Sequence, residues 1–228
     1  MKRFITFILL FSVLGASALL SSCGNKGDAT EFGFYDSRND VEYIYSPPNK
    51  LYPITPEKEE EYLTVENEDG TSTVFYKVAF EDPKDFLCYE IEGFYFLAQN
   101  KEMEEMTIVD FNPIAASIYN ETNLLSMGSF YADNEYLPDE KKEHSPTEDT
   151  WICQLIAKQI LEGEAVNFVA NPDNISNVYH LRMYSQDYPG VYYLITFFEY
   201  NGRHFLEDKS ANKIVYCPND VVSRLVGN

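Results

Sequence analysis

Residues 190–208, GVYYLITFFEYNGRHFLED, decide the fold. Two runs of aromatic and β-branched residues flank Asn201-Gly202, a pair suited to the positive φ angles of a two-residue hairpin turn. Such a turn sets a register: Tyr200 opposite Arg203, Glu199 opposite His204, Phe198 opposite Phe205, Phe197 opposite Leu206. On either side, NVYHLRMY (177–184) and KIVYC (213–217) carry the same chemistry and extend the hairpin to a four-stranded meander. PNDVVSRLV (218–226) closes as a short helix capped by Asn219 or Asp220.

The meander needs a cover, and HSPTEDTWICQLIAKQILEGE (144–164) supplies one. Ser145 is a suitable N-cap, Pro146 fits the first helical position and Glu148 completes a capping box. Trp151, Ile152, Leu155, Ile156 and Ile160 make an apolar stripe, ended by Gly163. Further upstream, DFNPIAASIYNETNLLSMG (110–128) reads as a second helix: Asn112 caps it, Pro113 starts it, Ile114, Ile118 and Leu125 recur at helical spacing, and Gly128 ends it. Residues 131–144 are polar and acidic and read as an exposed loop.

Before these, YLTVENEDGTSTVFYKVAF (62–80) reads as a hairpin, with its turn at Asn67–Gly70 and Val74, Tyr76, Val78 and Phe80 on one face. FLCYEIEGFYFLA (86–98) continues as strand, bent or bulged at Gly93. The implied fold is α+β: mainly antiparallel β-sheet, made of hairpins and a C-terminal meander, packed by two amphipathic helices. Whether the strands before Asn100 join the meander in one sheet is open. One composite domain over 58–228 is expected, because the only break, at 131–144, is short for a domain linker. Residues 23–57 combine glycines and prolines with aromatics, and read as a tether ending in an extended arm that docks on the domain.

The amino terminus has three zones: basic Lys2 and Arg3, an apolar run from Phe4 to Leu20, then Ser21 and Ser22 before Cys23. That is the layout of a secretory signal peptide over 1–22. Polar interruptions at Thr6, Ser12 and Ser17 and the lack of a basic stop-transfer cluster disfavour a permanent span. Leu20-Ser21-Ser22-Cys23 resembles the lipobox of bacterial lipoproteins. The resemblance implies cleavage between Ser22 and Cys23, a diacylglycerol thioether on Cys23, and a new amino terminus acylated, as with palmitate. Two or three chains supply enough buried methylenes for stable anchoring. The expected location is the bacterial cell envelope, membrane-anchored and facing the periplasm or cell exterior. An ordinary signal peptide with an incidental cysteine is the alternative.

Losing Lys2 and Arg3 leaves 15 basic against 37 acidic residues, a formal charge of −22. An excess of that sign repels nucleic-acid phosphates and anionic headgroups, which excludes a nucleic-acid partner. It keeps the protein soluble at a crowded surface and can steer a basic partner.

No reaction centre is recognisable. His144, His180 and His204 are the three histidines, none beside a G-x-S-x-G elbow, and His204 is expected to pair with Glu199. Cys88, Cys153 and Cys217 lack close spacing and read as buried small hydrophobes, although Cys153 lies near a helix start. VENEDG (65–70) fails as a calcium loop, since Val65 and Tyr76 stand where ligands are required. ADNE (132–135) and NPDN (171–174) read as turns. No catalytic residue, metal site or cofactor is assigned. The tyrosines suit either a half-exposed sheet or a stacking surface for sugars or a partner's loops. The leading expectation is a lipid-anchored, non-catalytic envelope module that binds an envelope protein or an extracellular ligand. Its rivals are an acidic inhibitor or immunity-type protein against a basic partner, and an envelope-polymer hydrolase.

Overall fold

A computed structural model describes residues 26–46, 50–54, 56–67, 69–120, 126–129, 148–167 and 174–226. The amino-terminal half closes into a seven-stranded barrel. Its strands are β1 (Lys26–Thr30), β2 (Gly33–Asp36), β3 (Val41–Tyr45), β5 (Pro56–Glu66), β6 (Ser72–Val78), β7 (Phe86–Ile91) and β8 (Phe94–Asn100). They run in the order β1-β2-β3-β8-β7-β6-β5, and a parallel pairing of Lys26 with Thr64 and Gly27 with Val65 closes the ring. Closure removes the exposed edges that an open sheet would present.

Alternation fills the barrel. Phe34, Tyr43, Leu63, Val65, Phe75, Leu87 and Ala98 point inward and are essentially inaccessible. Each of the large ones contributes about 1.5–3 kcal/mol through removal from water. Phe34 stacks on Tyr43 at 4.9 Å between ring centroids, and the Tyr43 hydroxyl donates to the Pro83 carbonyl at 2.6 Å. This is a packed core and not a lumen.

The second body is a sheet in the order β10-β9-β11-β12-β13-β14. It comprises β9 (Ala115–Asn120), β10 (Ser126–Ser129), β11 (Ile175–Tyr184), β12 (Val191–Tyr200), β13 (Arg203–Asp208) and β14 (Lys213–Tyr216). The short β4 (Leu51–Pro53) pairs with the start of β12. Helix α1 (Glu148–Glu162) covers one face, with α2 (Asn219–Val226) beside it. The β12–β13 hairpin joins five residue pairs, from Tyr200↔Arg203 to Thr196↔Glu207, and the four nearest the turn match the expected register residue for residue. Asn201 and Gly202 both adopt positive φ, 51° and 72°, which is what a two-residue turn requires.

The two bodies share one core. Val78, Phe86, Cys88 and Leu97 on the outside of the barrel join Leu51, Tyr193, Ile195 and Phe197 of the sheet region and Ile152, Ile156 and Ile160 of α1. The ring series Phe86–Tyr188–Phe111–Tyr193, at 5.8–6.2 Å, stitches barrel to sheet. Gly190 sits so close to the barrel that a Cβ there would lie 2.2 Å from the Ala79 carbonyl oxygen.

The expected fold class needs correction: most of the described chain is strand, and a closed barrel stands where a sheet packed by two amphipathic helices was expected. Where a helix was expected over 112–128, there is none among the described residues. Asn112 takes positive φ (52°), and its N–H closes a turn onto Val109 O instead of opening a helix. From Ala115 the chain is β9, paired with β11 from Ala115↔Tyr184 to Asn120↔Tyr179. Ala116 and Ile118 are buried while Ser117 and Tyr119 are half-exposed. The period is two, and long-range pairing overrides the local helical spacing. On α1 the stripe is Ile152, Cys153, Ile156, Ala157 and Ile160, whereas Trp151 is 49 % exposed. Ser145 and the loop 131–144 lie outside the described residues. Residues 26–53 supply strands β1–β4. The strand expected to bend at Gly93 is two strands, β7 and β8, joined at Glu92-Gly93 with φ of 52° and 86°.

Candidate functional site

Two hairpins, β5–β6 and β7–β8, meet along a short seam in the barrel wall. β5 and β6 pair out to Glu66↔Ser72 beside their tip, and β7 and β8 pair out to Ile91↔Phe94 beside theirs. Between the hairpins only Phe75↔Tyr89, Tyr76↔Cys88 and Lys77↔Leu87 are joined. Continuing that register would place Val74 opposite Glu90 and Thr73 opposite Ile91, and the β6–β7 ladder contains neither pair. The hairpins therefore diverge toward their tips like jaws.

An open cleft of about 620 Å³ occupies the divergence. One side is the strand edge Ser72–Val74, the other Glu90 and Ile91, and Tyr45 and Tyr89 form the floor. Alternation explains the floor. Tyr45 follows the inward-facing Tyr43 by two residues, and Tyr89 follows Leu87 likewise, so both rings lie at the barrel mouth above Phe75. They meet edge to face at 5.3 Å, and each lies within about 6.4 Å of Phe75. Burial pushes both phenols above the ordinary tyrosine range, so at neutral pH they present neutral hydroxyls. Among the described residues lining the cleft there is no lysine, arginine or histidine.

The aromatic floor does not stop at the cleft. Tyr89 contacts Phe96 at 5.8 Å, Phe96 contacts Tyr52 at 6.4 Å, and Tyr52 stacks on Tyr192 at 5.4 Å. Arg182 lies over Tyr192 at 4.8 Å and over Tyr119 at 4.3 Å, a cation–π sandwich. Burial raises the Tyr192 phenol to about 12. The row crosses from barrel to sheet on half-exposed side chains.

Other residues singled out from the sequence fall elsewhere. Cys23 and Ser22 lie outside the described residues, as do His144, residues 132–135 and residues 171–173. His204 Nε2 lies 3.9 Å from Glu199 Oε2, the cross-strand neighbour expected, and Asn177 donates to the same oxygen at 2.7 Å. Cys88, Cys153 and Cys217 are buried free thiols, and burial drives the Cys217 thiol far up. Asp69 is occupied by its own turn, accepting from the Thr71 N–H at 2.9 Å and hydroxyl at 2.6 Å. No cluster of metal-ligating side chains occurs among the described residues.

Two acids, Asp208 buried and Glu81 half-buried, escape sequence reasoning altogether. Asp208 accepts from Tyr193 Oη at 2.7 Å and from Ser210 and Ala211, which satisfies it and staples the β13–β14 turn. Glu81 sits at the barrel–sheet junction and accepts from the Gly190 N–H at 2.7 Å. Burial raises its carboxyl to about 7 against the opposing pull of that hydrogen bond, and Asp85 nearby adds to the rise. Neither lines the jaw cleft. The cleft itself left one local trace, the tyrosine-rich strands; the gap between them has none.

Comparison of the chain with protein-family models, curated proteins and solved structures gave no match.

Proposed function

We propose that this chain is a lipid-anchored envelope lipoprotein of a bacterium, held to the membrane through acyl chains on Cys23, and that its folded part is a non-catalytic module binding a ligand in the jaw cleft. The anchor reading rests on Leu20-Ser21-Ser22-Cys23 behind a basic and apolar leader. The binding reading is carried by one observation: an open cleft whose floor is two half-buried tyrosines and whose walls are strand edges. Such a concave site, with aromatic rings and polar groups together in its lining, is a usual form of recognition pocket. The cleft supplies hydroxyls and one carboxylate and lacks a histidine or cysteine to activate a nucleophile.

Anchoring is tested by Cys23→Ala. Expected is loss of radiolabelled palmitate incorporation and a shift from the detergent phase to the aqueous phase; retention in detergent overturns it. The −22 charge supports a second reading, inhibition of a basic partner. Capture whose association rate barely falls from low to high salt would remove that reading.

A further inference from the structure

We propose that the gap between β6 and β7 is a strand-insertion site, which takes an extended peptide carrying alternating basic and apolar side chains. The inference rests on the binding-module reading above and names its ligand class.

The argument begins with the ladder. β6 runs from Ser72 and β7 runs to Ile91, yet their mutual pairing ends at Phe75↔Tyr89. On its other side β6 remains fully paired to β5 at Val74, Thr73 and Ser72, so it keeps strand geometry up to the tip. Alternate residues of a strand turn their N–H and C=O to opposite sides. Part of the backbone of Ser72–Val74 therefore faces the cleft while the rest bonds β5. Ile91 is held in the same way by Phe94. A third strand lying between the jaws would complete both edges, the geometry of β-augmentation.

Side chains set the chemistry of the occupant. On one face of an inserted strand, alternate residues would meet Tyr45 and Tyr89, an apolar and stacking surface. Beyond it, Phe94 at 68 % and Ile91 at 51 % exposure extend the apolar rim of the β7–β8 jaw. The other face would meet carboxylates of the β7–β8 jaw: Glu90 in the cleft, one oxygen of which accepts from the Tyr95 hydroxyl at 2.5 Å, and Glu92 at the turn. Glu66, on β5, is held by Lys26 at 2.6 Å across the β1–β5 seam, on the side of β5 away from the gap. Against a lipidated chain of formal charge −22, without Lys2 and Arg3, a basic peptide is favoured in encounter as well as in contact.

The test uses the full lipidated chain in nanodiscs and an array of nine-residue peptides alternating lysine or arginine with valine, isoleucine or tyrosine. Glutamate replaces the basic residues in a control series, and soluble chitin and cellulose oligosaccharides serve as glycan probes. The best peptide is resynthesised with N-methyl groups on one or the other alternate set of backbone amides. Expected are binding of the basic series alone, an affinity loss of about tenfold or more for one N-methylated set only, and slowed amide exchange at Ser72–Val74 on binding. Failure of the whole array, or binding indifferent to both N-methylated sets, overturns strand insertion. Oligosaccharide binding that Tyr89→Ala abolishes, without peptide binding, overturns it while leaving the binding-module reading intact. No binding by either class overturns both. The methylated peptides alter only the ligand, so the outcome does not depend on a variant folding.

Discussion

The seam between β11 and β12 and the seam between β6 and β7 are both antiparallel, and they behave as opposites. The first joins eight residue pairs, from Ile175↔Tyr200 to Tyr184↔Tyr192, with Leu181, Met183, Ile195 and Phe197 buried beneath it. The second joins three and then opens onto half-buried tyrosines. What separates them is cover. Helix α1 and the barrel wall close over the β11–β12 seam on one face, whereas the tips of β6 and β7 extend past the barrel core. Pairing persists where burial supports it, and where it lapses the molecule exposes backbone and aromatic surface together.

The contrast is sharpest in amide exchange. Amides of 181–184 and 193–196 should exchange only through global unfolding, on the order of 5–15 kcal/mol, while cleft-facing amides of Ser72–Val74 open at nearly no cost. That is a rate difference of several powers of ten, readable by NMR or mass spectrometry. Equal protection at the two seams would show the jaws closed.

Mutation should rank the same way. Phe75→Ala, beneath the cleft floor and wholly buried, is expected to cost about 3–5 kcal/mol in denaturant unfolding. Tyr89→Ala, half-buried above it, should cost under about 2 kcal/mol. A reversed order would place the floor inside the core.

Glu81 tests the junction that holds the two bodies together. Its folded carboxyl titrates near 7, above the unfolded value, so folding takes up a proton. The stabilisation is complete below the unfolded value and is lost as pH rises through about 7. The side chain is partly solvated, so urea melts between pH 4.5 and 7.5 should lose about 1–2 kcal/mol. Glu81→Gln should flatten that slope; an unchanged slope assigns it to other acids. Asp36 has the opposite sign. Its burial would raise the carboxyl, but hydrogen bonds from Asn39 and Arg38 outweigh this and hold it below the usual range. Its contribution is present above the unfolded value and lost as pH falls through the folded one.

The smallest effect expected is at the jaw tip. Gly93 sits at φ +86° in open space, so Gly93→Ala should cost about 1 kcal/mol through backbone strain alone. A larger loss would mean that the tip is packed.

Legibility in the sequence followed distance along the chain. The β12–β13 register was readable because Asn201-Gly202 settles it within two residues. The stretch 112–128 misled because Ile114 and Ile118 suit a helix locally, while the partner that makes β9 a strand, β11, lies some sixty residues on. The barrel was unreadable for the same reason. Its closure depends on Lys26 and Gly27 meeting Thr64 and Val65 in parallel, and nothing local to either segment announces the other.

By itself, the sequence determined the turns at Asn67–Gly70 and Asn201-Gly202, the amphipathic character of α1 and the strongly acidic composition, because each rests on neighbouring residues or on composition. Tertiary structure alone decided the barrel, the burial of Asp208 and half-burial of Glu81, and the open jaws. These depend on which strands meet and where they stop meeting, a balance of burial against pairing that no short segment contains.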